Sequence, residues 1–202
     1  MSALTLPVYA IRRHRIVQDG AGVVTLVGVS GCPLNCAYCL NPEGRDASAP
    51  TENMTAQALY DCLSVDDLYF QATGGGVTFG GGEPLQHAPF LREFISLVNG
   101  MWQVRVETSL NVKPENALID ADEFIVDIKD MHEDVYARYT GGRLERALEN
   151  LRTLLDQAGP ERIRVRVPLI EGYNDKDLQR ESIERLRDMG VTRFDPFVYR
   201  VP

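Results

Sequence analysis

Nowhere in the 202 residues is there an uninterrupted apolar run of membrane-spanning length, and the N-terminus has no charged-then-apolar leader pattern. Neither insertion into a membrane nor export is expected, and the chain reads as cytoplasmic. Positive charge is in deficit: 21 lysines and arginines stand against 29 aspartates and glutamates, a formal net charge of −8. That balance argues against a general binder of nucleic acid or acidic membranes and leaves one local basic run, Arg12, Arg13 and Arg15. Internal repeats, low-complexity tracts and interior linkers are also missing, so residues 1–202 are expected to form one domain, and a monomer. Cysteine is scarce. Of the four present, three are clustered, which fits a ligand site in a reducing compartment better than a disulfide framework.

What is present is an alternation of β-rich runs with helical periodicity. "GVVTLVGV" (22–29), "GVTF" (76–79), "QVRVET" (103–108), "EFIVDIK" (123–129), "RIRVRV" (162–167) and "RFDPFVY" (193–199) read as strands. Helical spacing appears in 55–63, 88–98, 143–159 and 176–189, the third of these closed by Gly159 and Pro160. Strands that alternate with helices imply right-handed crossovers and a parallel sheet. The expected fold class is α/β, a partial (β/α)6 barrel with a mainly parallel six-stranded sheet. In such folds ligands lie at the carboxyl ends of the strands. The polar residues follow that rule. The cysteine loop follows the first strand, "GGGEP" (80–84) the second, Glu107 and Thr108 end the third, Asp127 and Lys129 the fourth, and Arg166 lies near the end of the fifth.

Cys32, Cys36 and Cys39 have the spacing C-x3-C-x2-C, a compact loop able to wrap three thiolates around one centre. Soft thiolates favour zinc or an iron–sulfur cluster. A structural zinc site wants a fourth ligand, for which Cys62 and His14 are the candidates. Cys62 sits among apolar helix positions, however, and His14 in the basic run, where bland roles are simpler. A three-cysteine iron–sulfur site would leave one position open.

The loop "GCPLNCAYCLNPEG" resembles the signature of the radical S-adenosylmethionine family, with Tyr38 immediately before the third cysteine. In that family the open iron of a 4Fe–4S cluster is chelated by S-adenosylmethionine. One-electron reduction then releases methionine and a 5′-deoxyadenosyl radical. Within the family the chain is most similar to the glycyl-radical-enzyme activating enzymes, the pyruvate formate-lyase activating type. "GGGVTFGGGEPLQ" matches their second-strand motif, except that Gly80 stands where serine is usual; "VETSLNV", "DIKDMHEDVYARYTGG" and "RVPLIEGYND" resemble their later strand segments. The resemblance implies that Cys32, Cys36 and Cys39 hold the cluster. It places Tyr38, Gly81, Gly82, Glu83, Glu107, Thr108, Asp127 and Lys129 around S-adenosylmethionine. Glu107, Thr108 and Asp127 match a set that in some members holds a monovalent cation, with Glu107 replacing an aspartate in part of the family. Lys129, suited to a carboxylate or a ribose hydroxyl, and Arg166, near the cofactor or an incoming peptide, are the catalytic candidates.

Two departures stand out. The aromatic–histidine pair usual after the sixth strand is replaced by Val198 and Tyr199, and no ferredoxin-like cysteine insert follows the signature loop. One cluster is therefore expected, with an external flavodoxin or ferredoxin as electron donor. The implied activity is abstraction of a glycine Cα hydrogen from a partner glycyl radical enzyme. The alternatives are the same chemistry on a peptide or a small molecule such as a purine precursor, and a non-catalytic zinc or iron–sulfur module.

Overall fold

The computed structural model describes residues 3–16, 19–113 and 119–199. The sheet is entered by β1 (Thr5–Ile16) and the nearly all-apolar β2 (Val23–Val29), whose last six positions are buried, as a strand covered on both faces requires. β3 (Glu52–Thr55) is short. The remaining strands are β4 (Gly76–Gly81), β5 (Gln103–Thr108), β6 (Glu123–Asp127), β7 (Ile163–Leu169) and β8 (Arg193–Val198). β2, β4, β5, β6, β7 and β8 pair in parallel, in chain order, and these are the six strands expected from the sequence.

The sheet nevertheless has eight strands, in the order β3-β1-β2-β4-β5-β6-β7-β8, because β1 and β3 extend it antiparallel beyond β2. The six-stranded expectation is corrected on that side. β1 escapes a periodicity reading for a physical reason. Its register breaks between Val8 and Ala10 and again between Arg12 and Arg15, and His14 sits at φ 55°. Such irregularities shift side chains between faces and erase strict alternation.

Helices α1 (Pro42–Arg45), α2 (Ala56–Leu63), α3 (Asp67–Thr73), α4 (Ala88–Val98), α5 (Glu133–Thr140), α6 (Leu144–Ala158) and α7 (Lys176–Asp188) complete the fold. α2, α4, α6 and α7 lie within a residue or so of their expected bounds, while α1, α3 and α5 are additional. The main core joins helices to the outer face of the sheet: Phe79 of β4 meets Phe94 of α4 edge-on at 5.2 Å, and Leu144 and Leu151 of α6 are buried. The inner face carries charge instead. Glu107 of β5 reaches Arg166 of β7, and Glu123 of β6 reaches Arg193 of β8, each across an intervening strand, as a concave face allows.

Candidate active site

The carboxyl ends of the parallel strands surround one cavity, and Cys32, Cys36 and Cys39 form a wall of it. Their loop leaves β2 and is seated on the end of α5: Asn35 and Ala37 donate their backbone N–H groups to the carbonyls of Thr140 (2.8 Å) and Tyr139 (2.9 Å). Those carbonyls would otherwise be unpaired at a helix C-terminus. Leu34, 4% exposed, anchors the loop to the protein. Tyr38 does not line the cavity. Its ring packs edge-on against Tyr139 and Tyr173, and its carbonyl accepts from the hydroxyls of Tyr139 (3.2 Å) and Tyr199, so it braces the loop from behind.

All three thiols are free. Burial pushes Cys32 up to about 12 and raises Cys36 as well, so protons stay on both until a metal displaces them. Among the described residues no group of three or more His, Cys, Asp or Glu side chains converges tightly enough for a single metal ion. A multi-iron cluster takes its thiolates on separate metals and needs no such convergence. The alternative fourth ligands stand elsewhere. Cys62 packs against the core with its Sγ 3.4 Å from Arg13 Nη2, and His14 Nε2 lies 3.3 Å from Asp66.

"GGGEP" turns the end of β4 toward the same cavity. Gly82 donates to Val29 O (2.8 Å), and a Cβ on it would lie 2.6 Å from that oxygen and 2.7 Å from Gly44 O, so only glycine lets the three segments close. Gly81 adopts φ 91° and lines the cavity. Glu83 is 1% exposed, and its carboxylate accepts from Leu85 N, Thr108 Oγ1, Ser109 N and Ser109 Oγ, at 3.2, 2.8, 2.9 and 2.7 Å. Burial raises its carboxyl against these donors. Glu83 thus clips β4 to β5, and its oxygens are committed to that clip.

The charged groups expected from β5, β6 and β7 meet across the cavity floor. Arg166 Nη1 donates to Glu107 Oε1 at 2.8 Å, and its Nε lies 3.5 Å from Asp195. Burial pushes the Glu107 carboxyl up to about 7, with Arg166 opposing and Asp19 and Asp127 adding to the rise. Lys129 Nζ lies 3.3 Å from Asp127 Oδ2 and 5.8 Å over the Tyr199 ring. Burial works to lower its pKa, but Asp127, Cys36 and Tyr199 carry it above the ordinary lysine value. Asp127 Oδ1 is buried without a hydrogen-bond partner. Each member of the set matched to a monovalent cation has another neighbour: Glu107 faces Arg166, Asp127 faces Lys129, and Thr108 is bonded to Glu83.

Several residues at the site gave no sequence signal. Phe197 and Tyr139 line the cavity, and Ser109 joins the Glu83 clip. Tyr9 is the clearest case. Cβ atoms on Gly28, Gly44 and Gly81 would each come within 2.6–2.7 Å of its side chain, so the phenol fills a slot left by glycines of three separate segments. No local pattern reports such a slot. Tyr199 lines the cavity with its ring 5.8 Å from Lys129 Nζ; residues 200–202 lie outside the described residues.

Residues 26–181 match the family model for the Radical SAM superfamily. Pyruvate formate-lyase-activating enzyme of Staphylococcus aureus (strain USA300) is 31% identical over 167 residues, 78% of this chain and 66% of that protein. The chain therefore spans 66% of the length of the curated relative. In fold it is similar to Streptococcus suis SuiB bound to precursor peptide SuiA (TM-score 0.66, 14% identity, 88% of this chain and 39% of that one). It is also similar to QueE from Escherichia coli (TM-score 0.53, 15% identity, 95% and 93%).

Proposed function

The chain belongs to the radical SAM superfamily, and from that premise we propose that it is an activating enzyme that abstracts a glycine Cα hydrogen from a partner glycyl radical enzyme. The family's cofactors are a 4Fe–4S cluster on three cysteines and S-adenosylmethionine, and the residues present fit them. Three free thiols share one wall, while the orphaned Asp127 Oδ1 and the Lys129 ammonium face the same cavity. Bound there, the two groups supply a one-electron reductive cleavage that yields a hydrogen-abstracting carbon radical.

The protein's own residues have simpler tasks. Lys129, held charged by Asp127, offers a fixed positive charge to a carboxylate or ribose hydroxyl, and the free Asp127 Oδ1 offers an acceptor. Arg166, anchored by Glu107 and Asp195, keeps the floor rigid. Phe197 and Tyr199 shut out water beside the reacting centre. Glycine Cα is a feasible target because the flanking amides stabilise its radical, so the protein contributes chiefly by holding a peptide in near contact. The reductant in this reading is an external flavodoxin or ferredoxin, since the clustered cysteines suffice for one cluster.

The observation that carries the glycyl-radical reading is the 31% identity to pyruvate formate-lyase-activating enzyme, which extends over 78% of the chain. The test mixes reconstituted protein, dithionite and S-adenosylmethionine with the glycyl radical enzyme encoded beside its gene. A doublet electron paramagnetic resonance signal is expected, and deuterating the partner's glycine Cα should collapse it and carry deuterium into 5′-deoxyadenosine. Deuterium arriving instead from a small molecule, or from a non-glycine peptide position, would replace this reading with one of the other two substrate classes.

A further inference from the structure

Behind the cysteine loop lies a small apolar nucleus separate from the main core. Tyr139, Ile170 and Tyr199 form it, and Cys36, Tyr38, Tyr173 and Phe197 pack against it. Much of its polar bonding falls on one atom. The carbonyl oxygen of Tyr38 accepts from the hydroxyl of Tyr139 at 3.2 Å and from that of Tyr199, residues only 1% and 6% exposed. A buried phenol needs a partner, and any nearby acceptor would serve. Here two phenols, one from α5 and one from the residue after β8, converge on the same oxygen.

That oxygen belongs to the amide joining Tyr38 to Cys39, so the group that receives both bonds is part of a cysteine of the cluster loop. A donor at the oxygen draws electron density from the amide nitrogen and leaves the Cys39 N–H more positive. Both O–H dipoles also turn their positive ends toward the loop. The two hydroxyls are hydrogen-bonded to each other as well, so Tyr139 reinforces the Tyr199 donor whichever oxygen its proton meets. Tyr139 grips the loop a second time, because its own carbonyl takes the Ala37 N–H at 2.9 Å. Reduction adds one negative charge to an iron–sulfur cluster, and hydrogen bonds around its ligands set how favourable that is. In buried, apolar surroundings such dipoles are little screened.

We propose that Tyr199 and Tyr139 are positioning residues that act through the Tyr38–Cys39 amide to raise the reduction potential of the cluster. Tyr199 is the stronger of the two, since its ring also lies against Lys129, 5.8 Å from Nζ, and so stands between the cluster loop and the charge offered to the cofactor. The inference rests on the cluster assignment and on no particular substrate. Iron and sulfide content of the wild-type protein checks that assignment separately.

The full chain, reconstituted anaerobically, is titrated with reductant in the absence of S-adenosylmethionine, and the electron paramagnetic resonance signal of the reduced cluster is followed against solution potential. Tyr199→Phe removes one O–H and keeps the ring. It should make one-electron reduction about three- to tenfold less favourable, a midpoint roughly 30–60 mV more negative at 59 mV per decade. Tyr139→Phe should shift the midpoint the same way by less. Tyr173→Phe is the control, because its ring packs edge-on against Tyr38 at 5.7 Å while its hydroxyl is not a donor to the Tyr38 carbonyl. Its midpoint should match the wild type. A purely structural role for the phenols would lower thermal stability in the variants and leave every midpoint in place, and that result overturns the proposal. So does an equal shift in Tyr173→Phe, which would trace the effect to loosened aromatic packing. If Tyr199→Phe assembles no cluster, the midpoint of Tyr139→Phe decides alone: a negative shift supports the proposal and none refutes it.

Discussion

Placing serine at Gly80, the residue usual there in activating enzymes, sets a Cβ 2.6 Å from Glu107 Oε2 and 3.1 Å from Leu26 Cδ1. Gly80 is not among the positive-φ glycines, so the backbone accepts serine and the contact alone is responsible for the effect. The Glu107 carboxylate cannot retreat freely, because its other oxygen accepts from Arg166 at 2.8 Å. Overpacking a tight site costs about 1–3 kcal/mol. Loosening the largely buried Glu107–Arg166 ion pair adds a fraction of the roughly 3–5 kcal/mol lost when a buried pair is broken outright. Gly80→Ser should therefore destabilise by about 2–4 kcal/mol in urea unfolding, with an unchanged m-value. Glu107→Asp withdraws the carboxylate by one methylene and should cost about 1–2 kcal/mol alone, through its longer reach to Arg166. In the double variant the shorter acid makes room for the serine, so its cost should fall short of the sum by about 1–3 kcal/mol. Additivity within about 0.5 kcal/mol would refute the reasoning, since it would mean that residues 80 and 107 do not compete for the same space.

Alanine at Cys32, Cys36 or Cys39 should abolish iron incorporation on anaerobic reconstitution, whereas Cys62→Ala, on α2 beside Arg13, should retain it; iron lost from Cys62→Ala alone would overturn the ligand assignment. Lys129→Ala should leave the cluster absorbance intact and weaken S-adenosylmethionine binding about tenfold or more, read by calorimetry, because it removes a fixed charge from the cavity and no metal ligand. Glu107 gives a pH signature. Burial lifts its carboxyl from 4.5 to about 7, so the folded protein binds that proton more tightly than the unfolded chain. The associated stability is complete below about 4.5 and is lost as pH rises through about 7. Glu107→Gln should flatten that limb of the stability profile, and an unchanged slope would contradict the shift.

The parts of the molecule legible in sequence were those written locally. The six parallel strands announce themselves by apolar β-branched runs such as "VVTLVGV". The site announces itself because the fold puts strand ends together, so Cys39, Gly81, Glu107, Asp127, Lys129 and Arg166 could be assigned to one cavity before any was seen there. β1 was illegible for the opposite reason: its two register breaks scatter the arginines over both faces.

Glycines show where legibility stops. The run at 80–82 reads as a place where backbone must come close to something, and the structure agrees, but the neighbour differs at each position. Gly80 leaves room for a glutamate from β5, Gly81 for a tyrosine from the antiparallel β1, and Gly82 for the backbone oxygens of Val29, Gly31 and Gly44. A missing side chain records that space is needed and not what fills it. The filler is fixed by tertiary contacts, here between residues 27 and 72 positions apart for Gly80–Glu107 and Tyr9–Gly81. The same logic applies to Glu83, which lines the cavity and also holds two strands together. Its position after the glycines points to the cavity, and the bond from Leu85 N is local, but the bonds from Thr108 and Ser109 exist only because the parallel pairing of β4 with β5 brings those partners within reach. In this fold the chemistry-bearing residues are readable from where strands end, and the residues that hold them in place are readable only once the strands are side by side.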